Sequence, residues 1–373
     1  MAFVVLCVWL LYLVLLVVMY IGLRKALALP LPEVQTETTV TVILPVRNEA
    51  HRLPLILPDL LKQTYAPGKW QVIIVDDHSE DTTGEILQAY ATQAPEVIQC
   101  YSLSDNVQGK KAALALGITH ARGEVILTTD ADCRMEPNWL ARMTSWFSDP
   151  NVHMVCGPVR IAKANLYSEL QQLEFAALIG TTAAFLGLGK PLMCNGANLA
   201  YRARLFKEVN GFAGNDHLAS GDDEFLMRKI QKHAPGSIRF ANHSEAVVTS
   251  EPQRTLNALV HQRVRWASKW KAHGISYSGA MAVLIFVFNA VLLLSPVWIF
   301  TWVLGFASLG MLWLVKAGLE ALVVNRICLF LRLRFPVHVF MLLQLIYPLY
   351  VVFFGLISNA LTAVWKGRTL SAR

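Results

Sequence analysis

Four groups of polar residues stand where apolar runs of this sequence end, and a fifth stands at the start of a helical stretch. Arg47-Asn48-Glu49 follows Pro45-Val46, Asp76-Asp77 closes VIIVDD, and Asp105 and Gln108-Gly109-Lys110-Lys111 follow VIQCYS. Asp130-Ala131-Asp132 closes EVILTTDAD, and Asp222-Asp223-Glu224 follows Gly221. Alternate side chains of an extended strand share a side, so Asp130 and Asp132 are expected to face one place. Two carboxylates there suit a divalent cation with all-oxygen ligands, Mg²⁺ or Mn²⁺, bridging a diphosphate. A solvated turn at the strand end fits the same residues. Ser79 or Asp81 is explained by capping of the next helix. Paired acids directly after four apolar residues are not, and they can accept hydrogen bonds from a base or ribose. Lys110 is placed either to neutralise phosphate or to begin a solvated helix. The three acids at 222–224 suit a helix N-terminus, where the macrodipole favours negative charge. One of them is equally suited to be a general base whose pKa its neighbours raise, and spacing does not say which.

The elements that must carry these groups read as alternating strands and helices. Strands are expected at 38–46, 70–77, 97–102 and 124–132, with helices to about 62, at 81–92 and at 109–119. That alternation predicts a mostly parallel sheet covered by helices, an α/β architecture. Ligands of such sheets collect beyond the C-terminal strand ends, where the polar groups fall. Further on, a strand is expected at 151–159, a long helix at 166–186, a Gly- and Asn-bearing strand region at 192–201 and a basic amphipathic stretch at 253–272. With no low-complexity linker between them, 33–272 reads as one domain. The basic stretch, with Arg263, Arg265, Trp266, Lys269, Trp270 and Lys271, suits an interfacial helix or a lid.

The 373 residues are 54% apolar and 16% charged, against roughly 45–50% and about 25% in a typical soluble chain. A wholly soluble protein is thereby disfavoured. The apolar excess sits at 3–23 and through 275–362. Residues 3–23 carry no charge and are long enough to span a bilayer. Arg24 and Lys25 follow that run instead of preceding it, which favours an anchor (1–24) over a cleaved signal peptide and puts the following domain on the cytoplasmic side. About three more spans are expected, at 275–299, 301–324 and 336–362, with a tail at 363–373. Lys316 and Glu320 share a helix face and either pair within the bilayer or snorkel to its edge. The net charge of +7 serves anionic lipid or a phosphorylated substrate, and no aromatic-interleaved basic stripe points to nucleic acid. Six cysteines without CxxC spacing indicate neither a zinc site nor a disulfide framework. The expected location is an integral membrane protein, the bacterial inner membrane being the expected membrane.

The ordered set Pro45-Val46-Arg47-Asn48-Glu49, Asp76-Asp77, Gly109-Lys110, Asp130-Ala131-Asp132, Asn195-Gly196-Ala197-Asn198, Gly221-Asp222-Asp223 and Gln262-Arg263-Val264-Arg265-Trp266 resembles the family 2 glycosyltransferases. It is closest in kind to their membrane-embedded branch, with cellulose, chitin and hyaluronan synthases and ceramide glucosyltransferase. The resemblance implies a GT-A fold, a UDP-sugar donor, Mg²⁺ or Mn²⁺ and inversion at the anomeric carbon. It further implies that Pro45, Arg47, Glu49, Asp76, Asp77, Lys110 and Asp130 bind the nucleotide sugar, and that Asp130 and Asp132 bind metal. Asp223 would be the catalytic base and Arg265 would stabilise the leaving diphosphate. Asn198, Asp222, Gln262, Arg263 and Trp266 would contact acceptor or donor. The small number of spans looks more like the lipid glycosyltransferases than the processive synthases. A lipid acceptor is therefore expected, with a saccharide acceptor and polysaccharide synthesis as the alternative. An inactive, nucleotide-sugar-binding scaffold is a remote third reading, disfavoured by the intact acids. His217 and the rest of 211–220 leave the sugar unidentified.

Overall fold

The computed structural model describes residues 2–370 apart from 35, 215–220, 268–275, 301–304, 359–362 and 366–367, and it describes only the backbone of 298–300 and of 363–365 and 368–370. His217, Lys269, Trp270, Lys271 and Lys366 lie outside the described residues.

The chain opens with α1 (Ala2–Leu27), β1 (Val40–Val46), α2 (Leu53–Leu61), β2 (Trp70–Asp76), α3 (Thr83–Gln93), β3 (Ile98–Ser102) and α4 (Lys110–Thr119). Next come β4 (Val125–Thr129), β5 (Cys133–Arg134), α5 (Trp139–Thr144), β6 (Met154–Cys156), β7 (Val159–Ile161) and α6 (Leu166–Gly187). Then follow β8 (Asn198–Arg202), α7 (Ala203–Glu208), α8 (Asp222–His233), β9 (Ile238–Phe240), β10 (Val248–Ser250) and α9 (Leu256–Ala267). The last elements are α10 (Tyr277–Leu293), α11 (Ser295–Phe300), α12 (Phe306–Phe330), α13 (Val337–Ile357), β11 (Ala363–Trp365) and β12 (Arg368–Leu370).

Two compact units result. One comprises residues 26–162 and 186–251, the other 1–25, 163–185 and 252–371. Helices α6 and α9 are grouped with the apolar helices. Their mutual contacts, described below, are side-chain pairings across long sequence separations that local pattern does not reveal.

The first unit is built on a seven-stranded sheet of order β3-β2-β1-β4-β8-β6-β9. Strands β3, β2, β1 and β4 are parallel neighbours. The residues of β1, β2 and β4 are buried nearly without a break, β1 as Val40, Thr41, Val42, Ile43 and Leu44 and β4 throughout. Such runs are what a sheet covered on both faces requires. Register aligns Val46 with Asp76 and Asp76 with Ser102, so the residues after β1, β2 and β3 emerge along one edge. Strand β8 runs antiparallel to β4 with Asn198 opposite Thr129. Its reversed direction delivers the preceding Asn195-Gly196 segment to that same edge. A second sheet, β5-β10-β7, sets Ser250 against Cys133.

In the second unit α1, α12 and α13 are each long and apolar enough to cross a membrane, and α10 is a shorter apolar helix of 17 residues. The expected break at Ser295-Pro296 separates α10 from α11, and the span expected at 301–324 is realised later, as α12. Their outward faces carry exposed Phe3, Leu10, Leu314, Leu345 and Leu356. Trp9 and Val5 of α1 pack with Phe288 and Leu292 of α10 and Leu309 of α12. Lys316 and Glu320 pair at 2.9 Å. Gln344 of α13 bonds both of them, and Tyr12 of α1 donates to Glu320 at 2.6 Å. The pair is thus internal to the bundle, which settles the choice between pairing and snorkelling for these two residues.

Candidate active site

The site is assembled at the sheet edge where β1, β2 and β4 end. After β4 the chain turns, with the Cys133 N–H donating to the Asp130 carbonyl at 3.0 Å. The extended alternation expected for Asp130 and Asp132 is therefore replaced by a turn. The two carboxylates nevertheless remain close enough for Asp130 to raise the Asp132 pKa. Burial is the largest cause of that rise, Asp130 the next, and the Arg52 guanidinium opposes both. Asp132 accepts from the Ser250 hydroxyl at 3.0 Å. Arg52 is itself tied to Glu49 at 2.9 Å and to Glu251 at 3.1 Å.

Lys110, first residue of α4, places its ammonium 2.5 Å from Asp130 Oδ1. Asp222 and Asp223 also act on that ammonium, and its pKa is raised by these acids against the lowering effect of burial. The helix start is fixed from β2, since the Gly109 N–H donates to Asp77 Oδ2 at 2.9 Å. Gly109 has φ +101°, a conformation that favours glycine. At the start of α8, Asp223 Oδ2 accepts the Gly196 N–H at 2.9 Å, and Oδ1 accepts the Glu224 N–H at 2.7 Å. Gly196 is held in turn by the Thr128 hydroxyl, which donates to its carbonyl at 2.7 Å. A strand, a turn and a helix start thus fix the Asp223 carboxylate.

Other expected site residues are placed differently. Asp77 is buried, and its second carboxylate oxygen meets His78 Nδ1 at 3.0 Å. Asp76 accepts from both the hydroxyl and the N–H of Ser79. Buried Arg47 donates to the carbonyls of Asp77 and His78 at 2.8 and 2.7 Å and to Glu80 at 2.9 Å. Arg47 therefore shapes the β2–α3 loop, and Glu49 holds Arg52 through its carboxylate while its backbone N–H donates to the Thr83 hydroxyl. Pro45 lies within β1, opposite Val75. Asn198 is wholly buried. Its amide donates to the carbonyls of Pro158 and Ala246, both at 2.8 Å, and accepts the Trp139 indole N–H at 3.0 Å. These hydrogen bonds of the Asn198 side chain are all made inside the protein. Arg52, Ser250 and Glu251 were not singled out by sequence. Arg52 had a weak signal, three residues after Glu49, but β10 reaches Asp132 only through sheet pairing.

In the other unit α9 carries Gln262, Arg263, Arg265 and Trp266. Arg263 is buried and ion-paired with Glu174 of α6, with its Nε donating to the Tyr350 hydroxyl of α13 at 2.6 Å. Tyr350 donates onward to Glu174 at 2.7 Å, and Gln262 Oε1 accepts from Arg263 at 2.6 Å. The guanidinium also lies 4.4 Å from the Trp266 ring centre. Arg263 thus secures α9 against its neighbours.

Comparison with known proteins bears on the family and the fold. The sequence model of Glycosyl transferase family 2 matches residues 41–209. Glycosyltransferase AglE of Haloferax volcanii is 28% identical over 226 residues, which cover 61% of this chain and 71% of that protein. The undecaprenyl-phosphate 4-deoxy-4-formamido-L-arabinose transferase of Pectobacterium atrosepticum is 34% identical over 122 residues, 32% of this chain and only 36% of the relative. The fold is similar to that of a mannosyltransferase, PcManGT, from Pyrobaculum calidifontis, solved with GDP-Man and Mn²⁺, at TM-score 0.57 and 20% identity over 98% of this chain and 97% of that one. The family match covers the strand that ends in Asp76, the strand that precedes Asp130 and the helix that begins with Lys110, so residues 41–209 are similar to a glycosyl transferase family 2 domain, and the fold is that of the GT-A glycosyltransferases.

Proposed function

We propose that the protein is an inverting glycosyltransferase that moves a sugar from a nucleoside diphosphate sugar, UDP-linked, to a lipid acceptor at the membrane. The observation that carries this reading is the fixed Asp223 carboxylate beside the Lys110–Asp130 pair at the C-terminal edge of the sheet. Asp223 accepts the proton of the acceptor hydroxyl as its oxygen attacks the anomeric carbon from the face opposite the diphosphate. Lys110 stabilises the negative charge that develops on the leaving group, the role that the resemblance also gives to Arg265. The cytoplasmic side, from which nucleotide sugars are supplied, is proposed for the catalytic unit because Arg24 and Lys25 follow the first apolar helix.

The residues present fit a divalent cation. Asp130 and Asp132 offer hard oxygen donors, and the mutual opposition of their charges is what a cation relieves. Among the described residues no group of three His, Cys, Asp or Glu side chains forms a ready cage, so Asp130 and Asp132 would hold the cation together with oxygens of the donor. Bound there, Mg²⁺ or Mn²⁺ supplies charge neutralisation to the diphosphate.

Polyprenyl phosphate is a second form of lipid acceptor, favoured by the name of the Pectobacterium relative. Its phosphate is already anionic and needs no base. The test is transfer by the detergent-purified protein, with UDP- and GDP-sugars, Mn²⁺ and either extracted lipids or polyprenyl phosphate, read by mass spectrometry. One discrete glycolipid is expected. Long polymer in its place supports the synthase alternative, and loss of donor with no lipid product overturns the lipid-acceptor reading.

A further inference from the structure

Asp130 is asked to do two things at once. Its Oδ1 sits 2.5 Å from the Lys110 ammonium, and the same carboxylate belongs to the oxygen set that suits a divalent cation. An ammonium and a divalent cation at one carboxylate repel each other, and that repulsion is strong where solvent is partly excluded. The Lys110 side chain is 21% exposed and that of Asp130 35%, so neither charge is freely hydrated. Asp132 is partly engaged as well, through the Ser250 hydroxyl, and the Arg52 guanidinium acts on it. The described residues provide no third carboxylate, His or Cys grouped with these two. The root of Lys110 is fixed by the Asp77–Gly109 hydrogen bond, whereas its four-carbon stem is flexible and its head is a compact charge that can change partners.

We propose that Lys110 is a built-in counter-cation that closes the Asp130–Asp132 site to free divalent metal, and that a nucleoside diphosphate opens the site by drawing the ammonium onto its phosphates. Metal then enters with the nucleotide and not before it. The exchange leaves no charge unpaired: the ammonium trades a carboxylate for a phosphate oxygen, and the freed carboxylate takes the metal. Asp222 and Asp223, which also act on the ammonium, keep Lys110 near the site during the trade. The proposal rests on the reading of Asp130 and Asp132 as diphosphate and metal residues.

Mn²⁺ binding to the full-length, detergent-purified protein, followed by electron paramagnetic resonance with no nucleotide, with UDP and with GDP, tests it. Without nucleotide, Lys110→Met is expected to bind Mn²⁺ about tenfold tighter than the native protein, as follows from removing one neighbouring positive charge. Lys110→Arg stays close to native. With nucleoside diphosphate the order reverses, and Lys110→Met binds Mn²⁺ more weakly than native. Asp130→Asn added to Lys110→Met removes the nucleotide-free gain, which locates it at this site. An unchanged or weakened free-Mn²⁺ affinity in Lys110→Met, a gain that survives Asp130→Asn, or the same sign in both conditions overturns the proposal. If nucleotide binding is normal and the gain is absent, the lysine gate fails while the donor reading stands. If the gain is present but neither UDP nor GDP binds, the nucleotide-driven opening and the donor reading fail together.

Discussion

Asp223 and Asn198 both belong to motifs that resemblance assigns to substrate, and their surroundings separate them. The Asp223 carboxylate is held by backbone N–H groups of Gly196 and Glu224, donors that orient it without cancelling its charge. Glu224 is buried and paired with Arg228 at 2.8 Å, which leaves it unsuited to proton transfer. Asp223→Asn is expected to lower turnover with a hydroxyl acceptor by roughly 10²–10⁴-fold while nucleoside diphosphate binding is retained. Comparing steady-state rates with calorimetric UDP and GDP affinities checks this, and unchanged turnover removes Asp223 as the base. Asn198 belongs to the interior. Asn198→Ala strips partners from the Trp139 indole and from two carbonyls, at a cost of roughly 2–4 kcal/mol. A thermal melt should show the loss, and a variant as stable as native with impaired donor affinity would return Asn198 to the substrate. The sequence showed that acids were concentrated at 222–224. It did not show which one the Gly196 amide would hold, because that amide lies just before β8, 27 positions away.

At the scale of elements, the strand ends were legible because a buried parallel strand writes itself as an apolar run with an abrupt polar stop. Val40–Val46 and Trp70–Asp76 fall where the runs at 38–46 and 70–77 placed them. Close approaches between elements were not legible. A methyl group added at Gly157 would stand 2.2 Å from the Asn198 Cγ, a contact between the turn after β6 and the start of β8 that only the fold creates. The fastening of α9 is likewise tertiary, since Arg263 meets Glu174 and Tyr350 across 89 and 87 positions. Glu174→Leu leaves a buried guanidinium without its carboxylate and is expected to destabilise the protein by about 3–5 kcal/mol. Tyr350→Phe removes one hydroxyl and should cost about 1 kcal/mol. Melting curves of both single variants and of the double variant check the network. Since the two residues share one partner, the double variant should lose less than the sum, and strict additivity would show that they act apart.

For the molecule as a whole, the 54% apolar composition resolves into helices that cover themselves only partly. In α1, α12 and α13 about a fifth of the most apolar window is buried, 22%, 22% and 17% respectively, so their remaining apolar surface needs lipid. The protein is therefore expected to stay in the membrane pellet after alkaline carbonate washing. Release into the supernatant would contradict the reading of these helices as spans. Within that bundle Glu320 takes hydrogen bonds from Tyr12, Lys316 and Gln344. Glu320→Leu should accordingly lower the melting temperature in detergent more than Leu322→Ala on the exposed face of the same helix.

What the sequence determined by itself is what local pattern encodes: apolar runs that must become buried strands or spans, polar stops where the strands end, and the order of motifs that resembles family 2 glycosyltransferases. Register and chain reversal decided the rest. The turn at 130–133, the antiparallel return of β8 and the pairing of β10 with β5 bring Lys110, Asp130, Asp132, Gly196, Ser250 and Asp223 into their hydrogen-bonded arrangement. Each of those contacts joins residues whose separation along the chain carries no periodic signal, so only packing could choose which carboxylates gather at the sheet edge and which are consumed in holding the fold.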